Sequence, residues 1–116
     1  MMRFISTTLL TLSVVACGGG TLPPARIADT QSAISAATAV GADQNPQAAL
    51  HLKMASDQLK QAQDLANDGK GDDAKLVLQR ADADAEVAMM ITREAEAGAS
   101  VKKTQSDVSA LQNRIP

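Results

Sequence analysis

Residues 45–88, NPQAALHLKMASDQLKQAQDLANDGKGDDAKLVLQRADADAEVA, decide the fold. Ala48, Leu52, Ala55, Leu59, Ala62 and Ala66 recur at intervals of three and four, so they line one face of a helix. Asn45 offers a side-chain oxygen as N-cap, and Pro46 fits the first helical position because its missing N–H would be unpaired there anyway. The spacing predicts a helix over about 46–68. Gly69 then suits the left-handed residue that closes a helix, and Asp72 or Asp73 can cap the next one. From about residue 73 a second stripe begins: Ala74, Leu78, Ala81, Ala85, Ala88, Thr92, Ala95 and Ala99. Two amphipathic helices joined by so short a turn must fold back on each other.

Working outward in both directions extends the helical pattern. Upstream, Ile27, Ala33, Ile34, Ala36, Ala37 and Val40 form a stripe of mostly small residues, giving a helix over about 25–40 that ends at Gly41. Downstream, Val101, Gln105, Val108, Leu111 and Ile115 keep helical spacing beyond Gly98, so the third helix is expected to continue to about residue 113, with a kink at Gly98 or a short fourth helix as the alternatives. Runs of alternating Val, Ile, Thr or aromatic residues are absent after residue 16. The expected fold is all-α: a small antiparallel helical hairpin or three-helix bundle with a long C-terminal helix. On the polar face of the second helix, Lys53 and Asp57 lie four apart, and Lys60 and Asp64 are expected to form an i,i+4 ion pair.

Composition narrows what such a bundle can do. The 116 residues include 22 alanines and a single aromatic, Phe4, with 11 basic residues against 13 acidic ones. An Ala in place of a buried Leu forfeits roughly 2.4 kcal/mol of transfer free energy, so the core is thin. Alanine offsets part of this by favouring helix at almost no side-chain entropy cost. The lack of aromatic stacking platforms and of a basic excess argues against nucleic acid as a partner.

The first residues read as an address. Met1-Met2-Arg3 supplies a positive start, and Phe4–Val15 is a charge-free, largely apolar run of twelve residues, short of the about 20 a bilayer span needs. Val14-Val15-Ala16-Cys17 follows, then Gly18-Gly19-Gly20. These four residues closely resemble the lipobox of bacterial lipoproteins. That resemblance implies a signal peptide over 1–16 and a covalent lipid on the Cys17 thiol, with residues 17–24 as a flexible lipidated tether and 25–116 as an Ala-rich helical domain. Only a thiol offers a soft nucleophile at modest pKa, and multiple acyl chains anchor stably where one binds marginally. The processed chain would hold 100 residues, with 10 basic against 13 acidic side chains. By the sorting rule of Gram-negative lipoproteins, Gly18 in place of Asp implies the outer membrane, with the domain facing the periplasm.

Little else carries chemistry. His51 has Gln47 and Ala55 as its helical neighbours and reads as an exposed helical histidine. Asp72, Asp73, Asp82, Asp84 and Glu86 lack the central glycine and closing glutamate of a calcium loop, and residues two apart on a helix do not face each other. One cysteine supports neither an intramolecular disulfide nor a thiolate cluster, so no metal and no cofactor other than the Cys17 lipid is expected. No serine lies in a nucleophile elbow, and Gly69-Lys70-Gly71 lacks Walker spacing. An enzyme is not expected. What remains is surface: Leu52 and Leu59, the adjacent Met89 and Met90, and the Lys102-Lys103 pair are the candidate interaction residues.

One family resemblance covers about 70 residues. Ala33-Ile34 with Ala36-Ala37, Asn45-Pro46, Ala49, Leu52, Leu59, Ala62, Ala66, the turn at Gly69 and the run Ala74–Ala88 containing Asp82-Ala83-Asp84-Ala85-Glu86 carry it. Together they resemble the Ala-rich helical domain of unknown function DUF4398, found in bacterial lipoproteins and exported proteins. Family members often carry Ala-Pro where this chain has Asn45-Pro46, and some continue into a peptidoglycan-binding domain that is not expected here. The resemblance implies fold and location and assigns no catalytic residue. The second and third helices are also similar to one tetratricopeptide hairpin, although a single hairpin is no solenoid. The expected function is a membrane-anchored periplasmic module, structural or protein-binding. Its partners are membrane lipid through the acylated N terminus and another envelope protein or a second copy. Peptidoglycan contact as an envelope spacer, and a small-ligand or stress-related binding role, are the alternatives.

Overall fold

The computed structural model describes residues 20–115. The lipobox-like residues Val14, Val15, Ala16 and Cys17, with the rest of the expected signal segment, lie outside them. Three helices follow in order: α1 (Pro24–Ala39), α2 (Pro46–Asn67) and α3 (Gly71–Gln112), with a 3-10 turn at Ala42–Gln44 between the first two. The third is one helix of 42 residues that passes through Gly98 without a break. Among the described residues nothing stands within 4 Å of where a Gly98 side chain would project.

The turns follow from the residues that occupy them. Gly41 and Gly69 hold φ of +83° and +76°, a region other residues avoid. At the end of α2 the Lys70 N–H donates to the Leu65 carbonyl at 2.9 Å and the Gly69 N–H to Ala66 at 3.1 Å. These two bonds are the Schellman arrangement, and they leave only Asp68, Gly69 and Lys70 between the antiparallel helices. At the start of α2 the Asn45 side chain accepts from the N–H groups of Gln47 and Ala48.

The third helix begins two residues earlier than its acidic pair indicates. Lys70, which makes no side-chain cap bond, holds the N-cap position; Asp72 and Asp73 lie inside the first turn. There their charge complements the helix dipole without capping. Gly71 opens the helix and leaves no room for a side chain: a β-carbon on it would overlap the Gly20 carbonyl oxygen of the chain's own entry segment. On the polar face of α2 the close ion pair is Lys53–Asp57 at 2.6 Å, about two turns before the expected Lys60–Asp64.

The core is made mostly of alanine. Among the described residues, nine of the fourteen buried apolar side chains are Ala, and Leu78 is the largest that is fully buried. One cluster joins Leu22, Ile34, Ala55, Leu59, Ala62, Ala74, Val77, Leu78 and Ala85; a second joins Ala37, Ala42, Ala48 and Ala88. Side chains this small leave little bulk between the helices. Arg26 of α1 pairs with Asp82, and Thr92 lies beside the end of α1, so α1 runs parallel to α3. Helix α2 fills the space antiparallel to both. Thr92 is the last buried residue of α3, and every residue from Arg93 to Ile115 is exposed. The bundle therefore ends midway along α3, leaving Arg93–Gln112 as an arm about 30 Å long at 1.5 Å per residue.

Candidate functional site

Two polar clusters cross the helix interfaces, both centred on carboxylates of α3. Asp82 faces α1: the Thr30 hydroxyl donates to it, the Arg26 carbonyl being 3.1 Å away as the alternative acceptor, and the Arg26 guanidinium reaches it at 3.2 Å. Thr30 is fully buried, and its hydroxyl has both acceptors within reach. Asp84, two residues on, faces α2. His51 Nδ1–H donates to one oxygen at 2.8 Å and Gln58 Nε2 to the other at 2.8 Å. His51 is thus half-buried and paired, not an isolated surface histidine. The two carboxylates diverge to opposite neighbours as their spacing requires, and Glu86 stays exposed. Among the described residues no group of three or more His, Cys, Asp or Glu is placed to hold a metal ion.

These contacts fix how the helices sit against one another. An Ala-rich interface specifies register weakly, because one alanine replaces another with little change in shape. Carboxylates with named partners on each side make the alternatives costly. Replacing Asp84 by Ala leaves the inward Gln58 amide without its partner, and its Oε1 is already buried with none among the described residues. The expected loss is about 1–3 kcal/mol in urea unfolding followed by helix ellipticity at 222 nm. A Gln58→Leu substitution in the Asp84→Ala background should recover part of it, because both polar ends are then gone.

The expected interaction residues divide by position. Leu59 is buried inside the bundle, and Leu52 packs against both clusters, so the stripe they share faces α3 and is not a free surface. Met89 packs against the second cluster while Met90 is 65% exposed; the pair points to two sides and forms no common groove. Lys102 and Lys103 lie on the arm, where Lys103 is held by Asp107 at 2.7 Å. On another face of the same arm, Val101 (56% exposed), Val108 (47%) and Leu111 (61%), with Ile115 beyond the helix (75%), repeat at helical spacing. Val101, Thr104, Gln105 and Val108 make one continuous strip with no other element against it among the described residues. Among the described residues no helix is long and apolar enough to cross a membrane.

An Ala-rich α2–α3 hairpin with α1 laid along it, polar-keyed and drawn out into one long helix, defines the class of this protein. Residues 25–104 match the family described as Domain of unknown function (DUF4398), which takes in α1, α2 and most of α3. The chain belongs to that family. No curated protein and no solved structure matches it.

Proposed function

We propose that this protein is a lipid-anchored envelope component whose bundle presents the α3 arm for binding to another protein, without catalysis of its own. The observation that carries the binding part is the arm: apolar residues exposed in register on a helix that has left its own core. Exposed apolar residues set singly are ordinary, but a repeated stripe on an uncovered helix is what a partner helix buries. Anchorage rests on the lipobox-like Val14-Val15-Ala16-Cys17 and the glycines after it. The entry segment also supports it, because Gly20 lies against Gly71, so an N-terminal anchor would hold the base of α3 and let the arm point away. Wall contact through Lys102 and Lys103 has less support, since Asp107 already engages Lys103.

Intact mass of the protein from membranes of its own host, beside a Cys17→Ala form, tests the anchor. The expected mass is that of residues 17–116 plus lipid, lost together with membrane association in the variant. An unlipidated mass beginning elsewhere defeats it. In-cell crosslinking tests the binding part, which fails if native envelopes yield only monomer.

A further inference from the structure

We infer that the arm of α3 pairs with the same arm of a second copy as a short parallel two-stranded coiled coil. This deepens the binding role above and names its partner. The exposed stripe has a seven-residue repeat: Val101 and Val108 occupy one seam position (a), and Ala97, Thr104 and Leu111 the other (d). Branched residues at a with Leu at d is the combination that favours two parallel strands. Upstream the repeat would bring Glu94 of each copy together at an a position, so the pairing starts at Ala97. That leaves residues 97–112, to the end of α3, about 24 Å at the helical rise.

The flanking charges select the direction. In a parallel pair the seam is bordered by Asp107 against Gln112 and Ser100 against Gln105, with no like charges facing. In the antiparallel register that sets Val108 against Thr104 and Val101 against Leu111, the two Asp107 carboxylates face each other. The geometry of entry agrees. With Gly20 against Gly71, two chains held at one surface by their N termini carry their α3 helices away from it in the same sense. Fewer than three heptads with Thr104 in the seam make a weak dimer in free solution. Confinement of both copies to one surface raises their effective concentration and populates it.

Disulfide trapping of the full-length protein in its own membranes tests this, because Val108 and Ser106 are both exposed and neither substitution disturbs the core. Val108→Cys should oxidise to a reducible homodimer at a rate ~10-fold above Ser106→Cys, since only paired β-carbons close enough for a disulfide react efficiently. Equal trapping at both positions overturns the proposal. So does preferential trapping between Thr104→Cys and Val108→Cys copies, which marks the antiparallel arrangement. A photocrosslinker at position 108 separates this inference from the broader role. An adduct to a different protein overturns the homodimer and leaves the binding role standing; the absence of any adduct overturns both.

Discussion

Replacing Leu78 by Ala is expected to lower the unfolding free energy by about 3 kcal/mol, a large share of what a domain of this size has. Leu78 is 1% exposed and belongs to the cluster where all three helices and Leu22 meet. The substitution removes the transfer energy of the lost methyl groups and adds the cost of whatever cavity remains. Collapse into that cavity is hindered here, because the neighbours Ala55, Ala62, Ala74 and Ala85 have no length with which to reach inward. Urea unfolding of the purified protein measures the effect. A midpoint shift equivalent to less than 1 kcal/mol would mean that the interface slides to refill the space.

The opposite change at Ala85 should be comparably damaging. Ala85 is fully buried, so Ala85→Leu forces three more carbons between helices whose facing side chains are mostly small. The expected cost is about 2–3 kcal/mol, with separation of α3 from its neighbours if the bundle relieves the strain by moving apart. Ala83→Leu provides the control on the same helix, since Ala83 is exposed, and should stay within about 0.5 kcal/mol of the parent. Thermal unfolding of the two variants side by side distinguishes a close-packed small-residue interface from a loose one. Equal stabilities would mean the latter.

The elements of the fold were legible because their signals are local. Asn45-Pro46, Gly41 and Gly69 each name a backbone conformation through the chemistry of one residue, and they stand where that chemistry places them. The onset of α3 lies earlier than Asp72 and Asp73 indicate because Gly71 reads as turn on its own; the nearness of Gly20 explains why that position carries no side chain. Periodicity marked the stripe of Leu52 and Leu59 as apolar without telling whether it is buried within the chain or against a partner; α3 buries it. The pairings of Asp82 with Thr30 and Arg26, and of Asp84 with His51 and Gln58, left no trace in the pattern. They join residues 26 to 56 positions apart through half-buried polar atoms, and no local rule connects such residues. The clue available was a polar Thr30 on the stripe side of an otherwise Ala- and Ile-lined helix.

The continuity of α3 across Thr92 makes the arm dependent on the bundle for its existence. An isolated segment of about 20 residues with no tertiary support pays the full nucleation penalty, of order 10⁻³ in equilibrium constant, and is a marginal helix in water. Joined to a packed helix, the same residues only extend a nucleus that already exists, so each added turn need only hold its own. Anything that loosens the first half of α3 therefore frays the second. The arm is in this sense a readout of whether the domain is folded: a damaged or unfinished copy holds no ordered helix beyond Thr92.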